Sequence, residues 1–190
     1  MKERLIGNRV YLEYPAGKVS AEEICECMSC KNTARYMYAV PYPYTIDNAS
    51  MFLKFVERTE IDDTTFQFGI FNRQDKCFIG MISLENIDYE CRKCEIGFWI
   101  SEKFVGKGFA KESSQLLIDY AFAKLAMNKI AAFAIKENVA SISLLMSLGF
   151  EIEGLFRDDV INKGQLVDRY AFGLLRDNKK MVATINGAFE

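Results

Sequence analysis

A junction near the middle of the chain sets the architecture. Cys94-Glu95-Ile96-Gly97-Phe98-Trp99-Ile100 is a β-favouring apolar run, Gly106-Lys107-Gly108 follows, and from residue 110 to about 126 apolar positions such as Leu116, Leu117, Tyr120, Ala121 and Leu125 recur at helical spacing. Glycines on both sides of a lysine let main-chain N–H groups approach a ligand closely. The first turn of the helix adds unpaired N–H donors and a positive dipole end, so the junction suits a phosphate. A plain strand-to-helix turn with an exposed lysine fits the same residues. The spacing matches neither a nucleoside-triphosphate loop, which needs four residues between its first glycine and Gly-Lys-Ser/Thr, nor the three spaced glycines of the dinucleotide fingerprint.

The rest of the chain alternates between the two periodicities. Strands are expected over residues 9–14, 65–71, 77–87, 94–100, 130–135, 150–161 and 165–174, and helices over about 20–30, 47–58, 110–126 and 138–148. Ser20 with Glu23 reads as a capping box, Asp47 or Asn48 as the cap of the second helix, and Gly149 as the stop of the fourth. The prolines of Val40-Pro41-Tyr42-Pro43-Tyr44 force a loop. A hairpin turns near residues 89–93 and another at Lys163-Gly164, while the unbroken apolar run 130–135 suits a strand covered on both faces. The expected class is a mixed α/β chain, one domain over residues 1–190 with its core at about 9–175 and a tail at 176–190.

Composition removes several function classes. The chain of 190 residues carries a net charge of −2 with pI near 5.4, which argues against a nucleic-acid or anionic-membrane coat. No apolar run approaches the ~20 residues of a membrane span, and the first residues lack a signal-peptide core, so a cytoplasmic protein is expected. There is no histidine, which excludes Ser-His-Asp and Cys-His chemistry. Cys25, Cys27, Cys30, Cys77, Cys91 and Cys94 read as reduced thiols. A zinc site from Cys27-x2-Cys30 and Cys91-x2-Cys94 is the alternative, and no metal is the expectation.

Taken together, Phe78-Ile79-Gly80-Met81-Ile82, Glu95 to Ile100, Gly106-Lys107-Gly108-Phe109-Ala110, Asn138-Val139-Ala140-Ser141, Leu148-Gly149-Phe150 and Gly154-Leu155-Phe156-Arg157-Asp158 resemble, in order and spacing, the GNAT superfamily of acetyl-CoA-dependent N-acetyltransferases. The likeness is greatest to the Rim-type (RimJ/RimL) branch, which acetylates protein N-termini, and extends from about Arg9 to Leu175. One departure is Val105, where the superfamily often has Gln or Arg and Rim-type members commonly an aromatic. The resemblance implies the GNAT fold: a mostly antiparallel sheet of about seven strands, splayed at the cofactor site, with about four helices. It implies acetyl-CoA held by the N–H groups from Val105 through Gly106, Lys107, Gly108 and Phe109 to Ala110, with Lys107 and Lys111, and by Phe98, Trp99 and Ile100 along the pantetheine arm. An N–H near Phe98 or Ile100 would polarise the thioester carbonyl. Asn138 would touch the pantetheine or acyl end and Ser141 donate a proton to the departing thiolate, with helix capping as the competing role for both.

The amine must be neutral to react. An α-amine of pKa ~8 is roughly a tenth neutral at pH 7, whereas a lysine-like amine at ~10.4 is neutral in a few molecules in ten thousand. Without histidine, a carboxylate acting through water is the expected base, and a peptide N-terminus demands least of it. Glu95 is the first choice because burial beside the cofactor strand would raise its pKa; an edge glutamate paired with Arg92 or Lys93 is the bland alternative. Asp158 and Asp159 are the reserve bases or grip the amine, and as neighbours in a strand only one can face the cleft. Tyr36, Tyr38, Tyr42, Tyr44 and Tyr170 either line the acceptor pocket or pack in the ordinary way, and the acidic stretch 60–63 either attracts a cation or is a solvated loop. The expected partners are acetyl-CoA and an amine acceptor, either a peptide N-terminus or a small amine, for a monomer or homodimer. A non-catalytic acyl-CoA-binding module is the alternative from another class.

Overall fold

In the computed structural model, which describes residues 3–38, 40–59 and 63–177, the chain runs β1 (Leu5–Ile6), β2 (Val10–Glu13), α1 (Ala21–Ser29), α2 (Lys31–Ala34), α3 (Ile46–Thr59), β3 (Phe66–Asn72), β4 (Phe78–Asp88), β5 (Lys93–Ile100), a 3-10 turn at Glu102–Phe104, α4 (Phe109–Ala123), β6 (Lys129–Ile135), α5 (Val139–Ser147), β7 (Glu151–Asn162) and β8 (Gln165–Leu175). The strands form one eight-stranded sheet in the order β1-β2-β3-β4-β5-β6-β8-β7. The β5–β6 pair is parallel and the other pairs are antiparallel. The mixed, mostly antiparallel sheet is as expected. The two elements beyond expectation, β1 and α2, have two and four residues, too few to leave a periodic signal.

Local chemistry explains most boundaries. Ser20 and Glu23 form the reciprocal capping box at the start of α1. The start of α3 corrects an expectation: Thr45, not Asp47 or Asn48, precedes the helix. The Thr45 hydroxyl accepts from the Asn48 N–H at 3.3 Å while Asn48 Oδ1 accepts from the Thr45 N–H at 3.0 Å, so the asparagine is the third residue of a capping pair. Residues 60–62 and 178–190, which include most of the acidic stretch and of the expected tail, lie outside the described residues.

Two apolar layers cover the sheet. Phe66, Phe68, Ile70, Ile79, Ile82, Leu84 and Ile96 pack with Leu117, Ile118, Ala121 and Phe122 of α4 and Leu145 of α5. On the other face Phe71, Phe78 and Met81 meet Ile24 and Met28 of α1 and Ala49 of α3. Each large side chain fully removed from water here contributes about 1.5–3 kcal/mol. Strand β3 is therefore buried at six of its seven positions. Strand β6 departs from the expected double cover: Ile130, Ala132 and Ala134 are buried, but Ala131 and Phe133 are half-exposed, and Phe133 borders a cavity.

Candidate active site

The central strands part company. The β5–β6 register ends at Glu95 opposite Ala131, among the described residues, although β5 continues to Ile100 and β6 to Ile135. Each strand stays with its other neighbour: β5 follows β4 as far as Ile100 opposite Gly80, and β6 follows β8 as far as Ile135 opposite Arg169. Gly80 permits this, because a Cβ there would lie 2.2 Å from the Trp99 carbonyl oxygen. The Ser101 N–H donates to the Ile79 oxygen at 2.8 Å, towards β4. Strand alternation then turns the main-chain groups of Phe98 and Ile100 to the β6 side, beyond the last paired residue. Main-chain donors in such a gap require a polar partner.

The glycine turn closes one end of the gap. Gly106 and Gly108 have φ of 77° and 81°, a left-handed backbone that a Cβ would strain, and Gly108 is the residue preceding α4. Arg9 fixes the turn from behind: its Nη1 donates to the Lys107 carbonyl at 2.9 Å and its Nε to Glu112 Oε2 at 3.0 Å. The Arg9 N–H donates to Glu112 Oε1 at 2.6 Å, and the guanidinium lies 5.1 Å from the Phe109 ring centre. Burial pushes the Glu112 carboxyl up, but the Arg9 and Val10 amides and the guanidinium outweigh it and hold the pKa below the ordinary value. Sequence reasoning missed this pair, since 103 residues separate its members and neither stands in a motif.

Between the parted strands lies a cavity of about 670 Å³. Phe98, Trp99 and Ile100 of β5 form one wall; Val105, Gly106, Gly108, Phe109, Ala110 and Lys111 form its end; Asn138 and Ser141 reach it from the start of α5. Sequence motifs thus named residues that tertiary structure gathers around one space. Lys107 is not on the lining, and its ammonium lies 5.5 Å from the Phe104 ring centre. Asn138 does cap α5, its Oδ1 accepting from the Ser141 N–H at 3.2 Å, so capping and cavity lining coexist.

The opposite wall held surprises. Tyr36 and Tyr38 line the cavity as expected, together with Asn32, Thr33, Phe133 and Arg169. The Arg169 guanidinium lies 4.6 Å from the Phe133 ring centre and 5.0 Å from that of Tyr38, donates to the Tyr38 hydroxyl at 3.0 Å and pairs with Asp159 at 2.5 Å. Of the two adjacent aspartates, Asp159 is thus the one tied to the cavity wall. Asp158, at φ 49° in an irregularity of β7, is exposed and off the lining; its N–H donates to Asp168 at 3.1 Å. Nothing local in Val167-Asp168-Arg169-Tyr170 singles out the arginine.

The remaining expected residues are dispersed. Tyr44 is core, packed with Ile24 and Met28, and Tyr170 lies half-buried with its ring centre 6.3 Å from that of Phe172. Tyr42 lines a second cavity. Glu95 is half-buried and off the lining of the first cavity, opposite Glu85, and accepts from Asn86 Nδ2 at 3.2 Å; Lys93 pairs with Asp88 instead. Burial pushes the Glu95 carboxyl above the ordinary carboxylate value and the Glu85 charge adds to this, against Asn86 and Arg169, which pull it down. Among the described residues no three His, Cys, Asp or Glu side chains gather as a metal site, and no helix is long and apolar enough to cross a membrane.

A sheet opened between parallel central strands, with a glycine turn and a helix start at the opening, defines a class of acyl-transfer protein. A family model, the acetyltransferase (GNAT) domain, matches residues 9–151. The chain belongs to the GNAT acetyltransferases, enzymes that use acetyl-CoA as acetyl donor. It is 34% identical over 174 residues to the uncharacterized N-acetyltransferase p20 of Bacillus licheniformis, covering 92% of this chain and 94% of that one. It is 39% identical over 102 residues, 54% of this chain and 56% of the other, to a Bacillus subtilis (strain 168) protein named "Putative ribosomal N-acetyltransferase YdaF". Spermidine N-acetyltransferase from Vibrio cholerae, solved in complex with CoA and spermine, shares the fold with a TM-score of 0.79 at 23% identity, covering 92% of this chain and 99% of that one.

Proposed function

We propose that this chain, as a single cytoplasmic domain, moves the acetyl group of acetyl-CoA to the α-amine of a protein N-terminus by direct attack in a ternary complex. The observation that carries this reading is the one cavity bounded by the parted β5 and β6, the glycine turn and the start of α5. Acetyl-CoA supplies an activated thioester carbonyl. The N–H groups from Val105 to Ala110, with the Lys111 and Lys107 ammonium groups, hold its pyrophosphate, where a helix start favours an anion. A Phe98 or Ile100 N–H, free of β6, stabilises negative charge developing on the carbonyl oxygen. Asn138 contacts the pantetheine end, and the Ser141 hydroxyl supplies a proton to the departing sulfur. Glu95, with its raised pKa, accepts the amine proton through water.

Charge on the cavity lining supports one acceptor class over the other. Glu102 is the carboxylate on the described lining, and it is already bonded to Cys30 and Asn32, while Arg169 and Lys111 are cations. A polyamine, with several positive charges, calls for several free carboxylates. The Rim-type motifs and the name of YdaF both support a protein N-terminus; the fold shared with a spermidine N-acetyltransferase keeps a polyamine as the second reading. A panel of amines assayed by release of free thiol tests the choice. Transfer to peptide N-termini is expected, and transfer to polyamines alone removes the assignment.

A further inference from the structure

The second cavity, about 720 Å³, lies between α2, the following loop and the β7–β8 turn. Lys31, Arg35 and Lys163 line it beside Tyr38 and Tyr42, and no carboxylate is among its described lining. None of the three cations stands in an ion pair among the described residues. Lys163 is held in place: its ammonium donates to the carbonyls of Met37 at 3.2 Å and Val40 at 2.6 Å. Burial also disfavours its charge, lowering its pKa. Three cations bordering one cavity, with no carboxylate on its described lining, give it a positive potential that favours an anion.

Tyr38 connects this place to the chemistry, because it lines both cavities and receives the Arg169 hydrogen bond at 3.0 Å. We propose that the second cavity receives an anionic group, a carboxylate or phosphate, carried by the same acceptor molecule whose amine enters the first cavity. The inference rests on the reading of the first cavity as the acetyl-transfer cleft and narrows its acceptor to amines bearing a nearby negative charge. Lys31 and Arg35, both exposed, give the site its discrimination, and Lys163 its fixed point.

The test compares matched acceptors on the wild type and on the double variant Lys31→Glu, Arg35→Glu. One pair is peptides with identical first two residues, followed by either aspartates or asparagines; the other is an amino sugar with and without a 6-phosphate. The wild type should prefer the anionic member of at least one pair by about tenfold in kcat/KM, the size of a few partly exposed charge contacts. The preference should shrink with added salt. In the double variant it should vanish or invert, with the melting temperature and CoA affinity unchanged. Preference for acidic peptides supports both the site and the N-terminal reading. Preference for the sugar phosphate with inert peptides supports the site and removes the N-terminal reading. Equal rates within both pairs, an unchanged ratio in the variant, or stimulation of the neutral acceptors by free inorganic phosphate overturns the proposal.

Discussion

Replacing Gly106 and Gly108 separately by alanine measures how the pyrophosphate turn is held. A Cβ in the left-handed region costs about 1–2 kcal/mol, partly offset by about 0.4–1 kcal/mol because alanine has less freedom to lose in the unfolded chain. Both glycines have positive φ, but their surroundings differ. A Cβ on Gly106 meets nothing within 4 Å, so Gly106→Ala isolates the backbone term, a net loss of about 1 kcal/mol. A Cβ on Gly108 lies 3.0 Å from Arg9 Nη2, so that guanidinium must give by a few tenths of an ångström, which weakens its bond to the Lys107 carbonyl at 2.9 Å. A hydrogen bond to a charged group contributes about 1.5–3 kcal/mol; with part of it lost on top of the backbone term, Gly108→Ala should lose about 2–3 kcal/mol in total. The loss falls on folding if the turn keeps its shape and on CoA affinity if the turn relaxes. The sum of the two, from denaturant unfolding and CoA titration calorimetry, is therefore the quantity to compare. Arg9→Met added to Gly108→Ala should cost less than Arg9→Met alone, since the bond is already weakened. Equal losses for the two glycines, or additive effects with Arg9, would refute the clamp.

Three further outcomes follow from the same contacts. Glu95→Gln should slow transfer well over tenfold with CoA affinity intact; because the folded pKa is raised, the associated stability is present below the unfolded value and lost as pH rises through the folded one, so the glutamine variant should unfold at equal or higher temperature at pH 7. A full rate in that variant would remove Glu95 as base. Glu112→Gln should cost about 1.5–3 kcal/mol at neutral pH; with a lowered folded pKa the wild type keeps that advantage above the unfolded carboxyl pKa and loses it as pH falls through the folded one, so the two unfolding curves should converge in acid. Burial pushes the Cys94 thiol up to about 12, while Cys91 is exposed; mass spectrometry after brief alkylation should find Cys91 labelled and Cys94 labelled only on unfolding, and early labelling of Cys94 would contradict its burial.

What lay in the sequence alone was whatever neighbouring residues decide between themselves. The capping box at Ser20 and Glu23, the left-handed glycines of the central turn, the hairpins and the order of strands and helices are local, and the motifs that carry the family resemblance named one wall and the end of the cavity. The start of α3 was misplaced because Asp47, Asn48 and Thr45 are all good caps, and only the backbone path selects among them. Tertiary structure alone decided the rest. Arg9 meets Glu112 across the molecule, Arg169 is stacked between Tyr38 and Phe133, and Lys31, Arg35 and Lys163 converge from α2 and the last hairpin. Charges and rings reach one another through space, and their separation along the chain leaves no periodicity to read. The opening between β5 and β6 is of the same kind: it exists because each strand keeps its outer partner longer than its inner one.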